Sequence, residues 1–364
     1  MQTTTQPRGR GSAGRASARV AGQLRSKIAA GGMEPGQFLA NERELATQMD
    51  VSRETLRRAL KLLENEGLLR TVPRRGYQVL ARGNGPEKGS PVAYVISAES
   101  QQSAWSPRID AVLSAFQREA ARRGWPLLVV GAPDVPAEAV LKQLRTTRAC
   151  GLVLDTGNPA MLAPAREAGV PAIVVNDWMI GHEVDSVMQD GQHGGLLAVE
   201  HLVARGRRRI AWVGAAPSTG AHAFDRFSGT AGALARAGLA LDPALVLCGE
   251  AEPREEQAVA LLSRRDRPDG VVAPWSGTAH AVAAAADRLG LVLGRDLDMV
   301  GWCVDELYTS DYVREFKGGV VPPAVTWSAP AMAATALARI EERRVNPQLP
   351  IVRIKVPVRL RTGG

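Results

Sequence analysis

The sequence predicts a multi-domain chain: an N-terminal winged helix-turn-helix, then an α/β domain of two doubly wound lobes. Three observations carry this. The net charge of +8 sits in the first quarter, where residues 1–88 hold 16 Lys/Arg against 8 Asp/Glu while residues 89–364 hold 29 of each. Three short helical patterns and a basic hairpin pattern fill residues 19–80. From Pro91 short apolar runs alternate with helical ones, the texture of parallel sheets covered on both faces. At 364 residues the chain also exceeds what one hydrophobic core organises.

Residues 1–18 combine Gly, Ser, Thr, Gln and Arg with almost no large apolar side chain, and are expected to be a disordered basic arm. Val20, Leu24 and Ile28 then mark one face of a helix that Gly31-Gly32 ends. Asn41 with Glu44 has the spacing of a capping box for a second helix through Met49. Ser52 suits the N-cap of a third, whose Leu56, Ala59, Leu60 and Leu63 form one apolar stripe that Gly67 stops. Leu68-Leu69 and Tyr77–Leu80 read as strands joined by the turn Pro73-Arg74-Arg75-Gly76. A basic unit joined to a neutral one is expected where only the first meets a polyanion, because phosphate neutralisation supplies most of the affinity. A solubilising basic tail is the competing reading.

Residues 81–90 have linker composition. Beyond them, eight strands are expected, at Val92–Ile96, Leu127–Val130, Gly151–Asp155, Ala172–Asn176, Arg209–Gly214, Ala244–Cys248, Gly270–Ala273 and Met299–Trp302. Helical patterns lie between most of them, among them Ile109–Arg123, Gly194–Ala204, Arg226–Ala237 and Ala279–Leu289. Eight strands over this length suit two lobes, with a ligand cleft between facing carboxyl ends of strands. Cys150, Cys248 and Cys303 are odd in number and lack metal-ligand spacing, so neither a disulfide framework nor a metal site is expected. No apolar run spans a bilayer and the start lacks a secretory signal, which predicts a cytoplasmic protein without a membrane partner. No Gly-x-Ser-x-Gly elbow, phosphate loop or HExxH occurs and the five histidines are scattered, so no enzyme and no cofactor are expected.

The segment Glu42–Leu60, followed by Leu62-Leu-Glu-Asn-Glu-Gly-Leu-Leu69, resembles the winged helix of GntR-type regulators. Leu45, Ala46, Val51, Leu56 and Leu60 suit the contact between its two helices, and the recognition helix then offers Arg53, Thr55, Arg57 and Arg58 to DNA behind Ser52. By the resemblance Arg43, Arg53, Thr55 and Arg57 occupy DNA-touching positions, and Arg75 and Gly76 the wing tip that enters the minor groove. Two departures are Ala40-Asn41 in place of Pro-Ser, and Arg74 in place of a wing glycine.

The stretch Val184–Asp190, continuing through Gly194–Leu202 to Arg208–Gly214, is similar to the effector domain of LacI/GalR-type regulators, a periplasmic-binding-protein-like fold of type I. Gly238–Pro243, Arg267–Gly270 and Met299–Gly301 echo it. A GntR-type head on this body resembles the hybrid arrangement of arabinose-repressor-type proteins. The resemblance implies a transcription regulator, most simply a repressor, with two partners: a pseudo-palindromic double-stranded DNA operator bound by a homodimer, and a small-molecule effector, a sugar or related metabolite. Arg226 matches an arginine that binds sugar hydroxyls or carboxylates, and Asn176, Asp177 and Asp190 fall at strand ends facing the cleft. The family's Asn-Asp pair is Trp275-Ser276 here, its later aspartate is Trp302-Cys303 with Asp305 two residues on, and Trp105 falls in the loop after the first strand. Those lost cleft residues leave a second reading open, a ligand-blind DNA-binding protein whose sensor fold only dimerises or docks a partner.

Overall fold

The computed structural model describes residues 10–29, 33, 36–65, 68–73, 75–79, 89–96, 107–130, 136–156, 158–249, 254–316 and 319–362. Residues 1–9 of the expected arm, Gly31-Gly32, Gly67, Arg74, most of the 81–90 linker and Trp105 lie outside them. The chain divides into two units: Met1–Gly89 with Val345–Gln348, and Ser90–Arg344 with Leu349–Gly364.

The first unit contains α1 (Arg10–Ala29), α2 (Glu42–Gln48), α3 (Arg53–Asn65), β1 (Leu69–Val72) and β2 (Gly76–Val79). Its core joins Val20, Leu24 and Ile28 of α1 to Leu45 and Ala46 of α2 and to Leu56, Ala59, Leu60 and Leu63 of α3. Leu69 and Val79 close it from below the wing. The expected disordered arm is corrected from Arg10 onward, where α1 is already helical. Ser17 is buried three and four residues ahead of Val20 and Ala21, which carries the buried face of the helix one turn further back. Alanine and arginine, frequent in this turn, are also strong helix formers. Asn41 Oδ1 accepts the Glu44 N–H at 3.0 Å and Ser52 Oγ accepts the Thr55 N–H at 3.1 Å, capping α2 and α3. Between the two helices Asp50 takes φ +50°, a left-handed position that aspartate tolerates. The wing is antiparallel, Leu69 opposite Val79 and Val72 opposite Gly76, and Gly76 at φ +91° supplies the conformation the tight turn needs.

The second unit is two lobes, each a six-stranded sheet. Lobe 1 contains β3 (Val92–Ile96), α4 (Pro107–Arg122), β4 (Leu127–Val130), α5 (Ala137–Thr146), β5 (Gly151–Asp155), α6 (Leu162–Ala168), β6 (Ala172–Val175) and β7 (Asp185–Gln189). The chain then crosses to lobe 2: α7 (Gly191–Ala204), β8 (Ile210–Ala215), α8 (Ala221–Arg236), β9 (Val246–Gly249), α9 (Glu255–Leu262), β10 (Gly270–Val272), α10 (Ser276–Arg288), β11 (Asp298–Val304), α11 (Val313–Glu315) and β12 (Ala324–Trp327). It returns through α12 (Ala329–Val345) and β13 (Arg353–Val356) to lobe 1, and crosses a third time, at Pro357, into β14 (Val358–Arg361) of lobe 2. The sheet orders are β13-β7-β6-β5-β3-β4 and β14-β12-β11-β10-β8-β9, parallel throughout except for β14 against β12. The expectation of eight strands is corrected to twelve among the described residues of this unit.

Three chain crossings at one end of both sheets make a hinge. In each sheet the strand order reverses once, between β3 and β5 in lobe 1 and between β8 and β10 in lobe 2. Loops leaving strands on either side of such a reversal diverge, so the crevice for a ligand opens there, at the carboxyl ends. Lobe 1 is stapled to the returning chain by Asp185. This carboxylate is 1% exposed and accepts Arg339 Nε at 2.9 Å, Arg343 Nε at 2.6 Å and the Val352 N–H at 2.9 Å. Burial pushes its pKa upward, but the bonds from Arg343, Arg339 and Val352 outweigh that and hold the carboxyl below the ordinary range.

Candidate functional site

In the first unit the recognition surface is α3 and the turn before it. Arg53, Arg57 and Arg58 are exposed on α3, Arg43 is exposed on α2, and Ser52 and Thr55 share a hydroxyl contact of 2.9 Å at the start of α3. Arg75 stands at the wing with its guanidinium 4.2 Å from the Phe38 ring centroid, beside Gly76. Sequence reasoning missed Glu42, the first residue of α2, which accepts Arg57 Nε at 2.8 Å and lies 3.8 Å from Arg53 Nη2.

In the second unit the candidate cleft is placed by the two strand-order reversals, where such sheets bind ligands. Trp275 lies three residues past the end of β10, at the N-cap of α10, and Arg226 sits in the second turn of α8, the helix that follows β8. The Arg226 guanidinium lies between two indoles, 4.9 Å from the Trp275 ring and 4.6 Å from the Trp302 ring, and donates to the Pro274 carbonyl. A cation between two aromatic faces is held by their quadrupoles and is fixed in orientation. The close approach needs missing side chains: a Cβ at Gly214 would meet the Trp275 ring at 2.4 Å, and one at Gly194 would meet the Trp302 ring at 2.0 Å. His222, one turn before Arg226, stands 6.2 Å from the Trp275 ring. Burial pushes its pKa down to about 3, with the Arg226 and Arg108 cations adding to the effect. At neutral pH it is therefore an uncharged imidazole offering one donor and one acceptor.

Lobe 1 brings Asp155 to the end of β5 and Asn176 to the end of β6, where Asn176 Nδ2 donates to Asp155 Oδ1 at 2.7 Å and Asn176 holds φ +62°. Asparagine tolerates this left-handed backbone better than most residues, so the chain turns at the end of β6 at little cost. The neighbouring Asp177 accepts the Met179 N–H at 3.1 Å. The lobes meet through Trp178, whose indole N–H donates to Asp225 on α8 at 3.1 Å, both residues being buried. Burial raises the Asp225 pKa, against the lowering effect of the Trp178 bond and of Lys355.

Three expected cleft residues are committed elsewhere. Trp302 is only 2% exposed and its indole N–H donates to Gln189 at 2.8 Å, so it backs Arg226 from within the core and does not line the cleft. Asp190 caps α7 through the His193 N–H and pairs with Lys355 at 3.1 Å. Asp305 is held by Arg359 and Arg361 of β14. Both carboxylates therefore act as hinge fasteners. Trp105 cannot be placed, as it lies outside the described residues. No group of three or more metal-ligating side chains occurs among the described residues, and no helix there is long and apolar enough to cross a membrane.

The family of periplasmic binding proteins and sugar binding domain of LacI family matches residues 94–305, more than half of the chain. The chain belongs to the LacI family. Its N-terminal residues 16–79 match the family of bacterial regulatory proteins, gntR family. The chain is 27% identical over 260 residues to the HTH-type transcriptional repressor PurR of Yersinia enterocolitica, covering 68% of this chain and 73% of that relative. Among solved structures, the transcriptional regulator CelR–cellobiose complex matches with a TM-score of 0.63 at 19% identity, over 89% of this chain and 99% of that one. The lac repressor dimer bound to operator and the anti-inducer ONPF matches with a TM-score of 0.61 at 20% identity, over 75% of this chain and 93% of that one. The expected hybrid of a GntR-type head on a LacI/GalR-type body is thereby corrected. The similar proteins are regulators of LacI, GalR and PurR type, and the CelR match runs through almost the whole of both chains. This LacI-family protein is thus a single regulator with a winged helix-turn-helix and a periplasmic-binding-protein-like sensor domain. It is a sequence-specific DNA-binding transcription regulator.

Proposed function

We propose that this regulator binds a pseudo-palindromic operator as a homodimer, reading it with Arg43, Arg53, Thr55 and Arg57, and that its two lobes close on a small ring-bearing effector, a sugar or related metabolite. The observation that carries the effector reading is the Arg226 guanidinium fixed between two indoles at the strand-order reversal of lobe 2. Trp275 there is half-buried and offers a stacking surface, His222 and, from lobe 1, Asp177 are partly exposed polar groups for ring substituents, and Arg226 and Asn176 are buried polar groups at the same strand ends that a ligand must reach on closure. A buried hydroxyl left unpaired costs about 1–3 kcal/mol, so a ligand fits only if those groups meet its substituents. The ring stacks on Trp275, and closure follows because only the closed form surrounds it. The CelR–cellobiose complex, built on the same fold, supports a sugar, and the lac repressor dimer on its operator supports the dimer.

All seven tryptophans lie beyond residue 90, so intrinsic fluorescence reports on the sensor domain alone. A metabolite panel screened by thermal shift should yield a stabilising compound that also shifts tryptophan emission. Trp275→Ala should remove most of that emission shift, and Arg226→Ala should weaken binding at least about tenfold, the loss of one charge-assisted contact. Unchanged affinity in both variants would remove the cleft from the account and favour the ligand-blind reading. For the dimer, the site that the chain selects from random duplexes should be an inverted repeat, matching two-fold protein symmetry. A single unrepeated half-site would contradict it.

A further inference from the structure

The cations of α3 are not equivalent. Arg58 pairs with Glu54 and Lys61 with Glu64, each within the helix. Arg53 and Arg57, one turn apart, both turn instead to Glu42 at the start of α2. Glu42 is 24% exposed while the two arginine side chains stay 62% and 60% exposed. A carboxylate on a face that meets phosphates repels them and lowers non-specific affinity. Its presence there needs another explanation, and geometry supplies one.

A guanidinium carries its donors in a fixed fork. With Arg57 Nε given to Glu42 at 2.8 Å, the donors left outward are the paired Nη1 and Nη2. That end-on pair matches O6 and N7 of guanine in the major groove. A guanidinium tethered at Nε cannot swing to a phosphate without breaking the tether, so the competing sequence-independent contact is disfavoured. We infer that Glu42 is a positioning residue for operator reading: it holds Arg57, with Arg53 beside it, end-on toward guanine, and gives up non-specific affinity for discrimination. This rests on the DNA-reading role proposed above for α3.

The test uses the full-length chain. Wild type first selects a preferred duplex from a random-sequence library. Wild type, Glu42→Gln, Arg57→Lys and the double variant are then titrated against that duplex and a scrambled one by fluorescence anisotropy at matched salt. Glu42→Gln should bind the scrambled duplex a few-fold more tightly, about 2- to 5-fold, because one repelling charge is gone. It should lose affinity for the selected duplex, so that the preference falls about tenfold or more. Arg57→Lys keeps the charge but cannot form the fork, so it should lose the same preference, and the double variant should fall no further. A Glu42→Gln protein that keeps its preference, or loses affinity equally for both duplexes, overturns the inference. So do additive losses in the double variant, the sign that Glu42 reads a cytosine amine by itself. If wild type enriches no sequence at all, the DNA-reading role of α3 fails and the inference falls with it.

Discussion

Replacing Asp185 with alanine should cost the sensor domain up to about 3–5 kcal/mol, because it removes the buried carboxylate that two guanidiniums share and leaves Arg339 with the more exposed Glu342 as its counter-charge. Arg339 is 8% and Arg343 13% exposed in its side chain, and the Val352 N–H loses its acceptor at the same time. These bonds fasten the returning segment, and with it β13, to β7, so their loss loosens one of the three hinge crossings. The pH dependence follows from the depressed carboxyl. A group whose folded pKa lies below its unfolded value of about 3.9 contributes fully above that value, and the contribution is lost as pH falls through the folded pKa. The gap between wild type and Asp185→Ala should therefore be widest at neutral pH and narrow in acid below about pH 4. Urea denaturation followed by tryptophan fluorescence measures it, and a neutral-pH difference within about 0.5 kcal/mol would show that the cluster does not hold lobe 1 together.

The second large effect is expected at Gly229, where α7 and α8 touch backbone to backbone. A Cβ at Gly229 would lie 2.2 Å from the Gln192 carbonyl oxygen, and one at Gly195 would lie 2.5 Å from the Thr230 nitrogen. Backbone cannot rotate aside, so Gly229→Ala must push the helices apart, at about 1–3 kcal/mol for an overpacked contact. Arg226 lies one turn before Gly229 and should move with α8, weakening effector binding as well. Gly232 on the same helix has nothing within 4 Å of its would-be Cβ. Gly232→Ala should thus be neutral or gain up to about 1 kcal/mol of helix propensity. Thermal melts of the two variants separate the causes, and equal losses at both positions would discard the helix-contact argument.

Legibility in the sequence followed the range of the interaction. The stripes Val20-Leu24-Ile28 and Leu56-Ala59-Leu60-Leu63 are local and periodic, and they pack as the pattern requires. β7 is not among the eight strands expected from apolar pattern, although Asp190 is expected at a strand end, because Asp185, Ser186 and Gln189 make the segment look polar, yet it is buried along its whole length. Its polar atoms are met by distant groups: Arg339 and Arg343 for Asp185, the Trp178 carbonyl for Ser186 and the Trp302 indole for Gln189. β13 and β14 alternate apolar residues with arginine or lysine and half expose them, which weakens the strand signal at the hinge. In the candidate cleft, Arg226 and Trp275 are marked by the resemblance to the LacI/GalR-type effector domain, at its ligand-binding arginine and its Asn-Asp position. The Trp178–Asp225 link spans 47 positions and leaves no local mark, and the same holds for Asp305, whose partners lie more than fifty positions on. In the head, Glu42 and Arg57 are fifteen residues apart on different helices, so spacing marked the arginines as DNA-facing and was silent on the acid between them.

The measurement that bears most directly on this regulator is its discrimination between duplexes. Full-length protein is titrated by fluorescence anisotropy against the duplex it selects from a random library and against a scrambled duplex of the same composition, at matched salt. The account predicts binding at least about 10³-fold tighter to the selected duplex. It also predicts that Arg53→Ala costs about 1–3 kcal/mol on the selected duplex and much less on the scrambled one. Equal affinity for the two duplexes across the salt series, with Arg53→Ala weakening both alike, would contradict it.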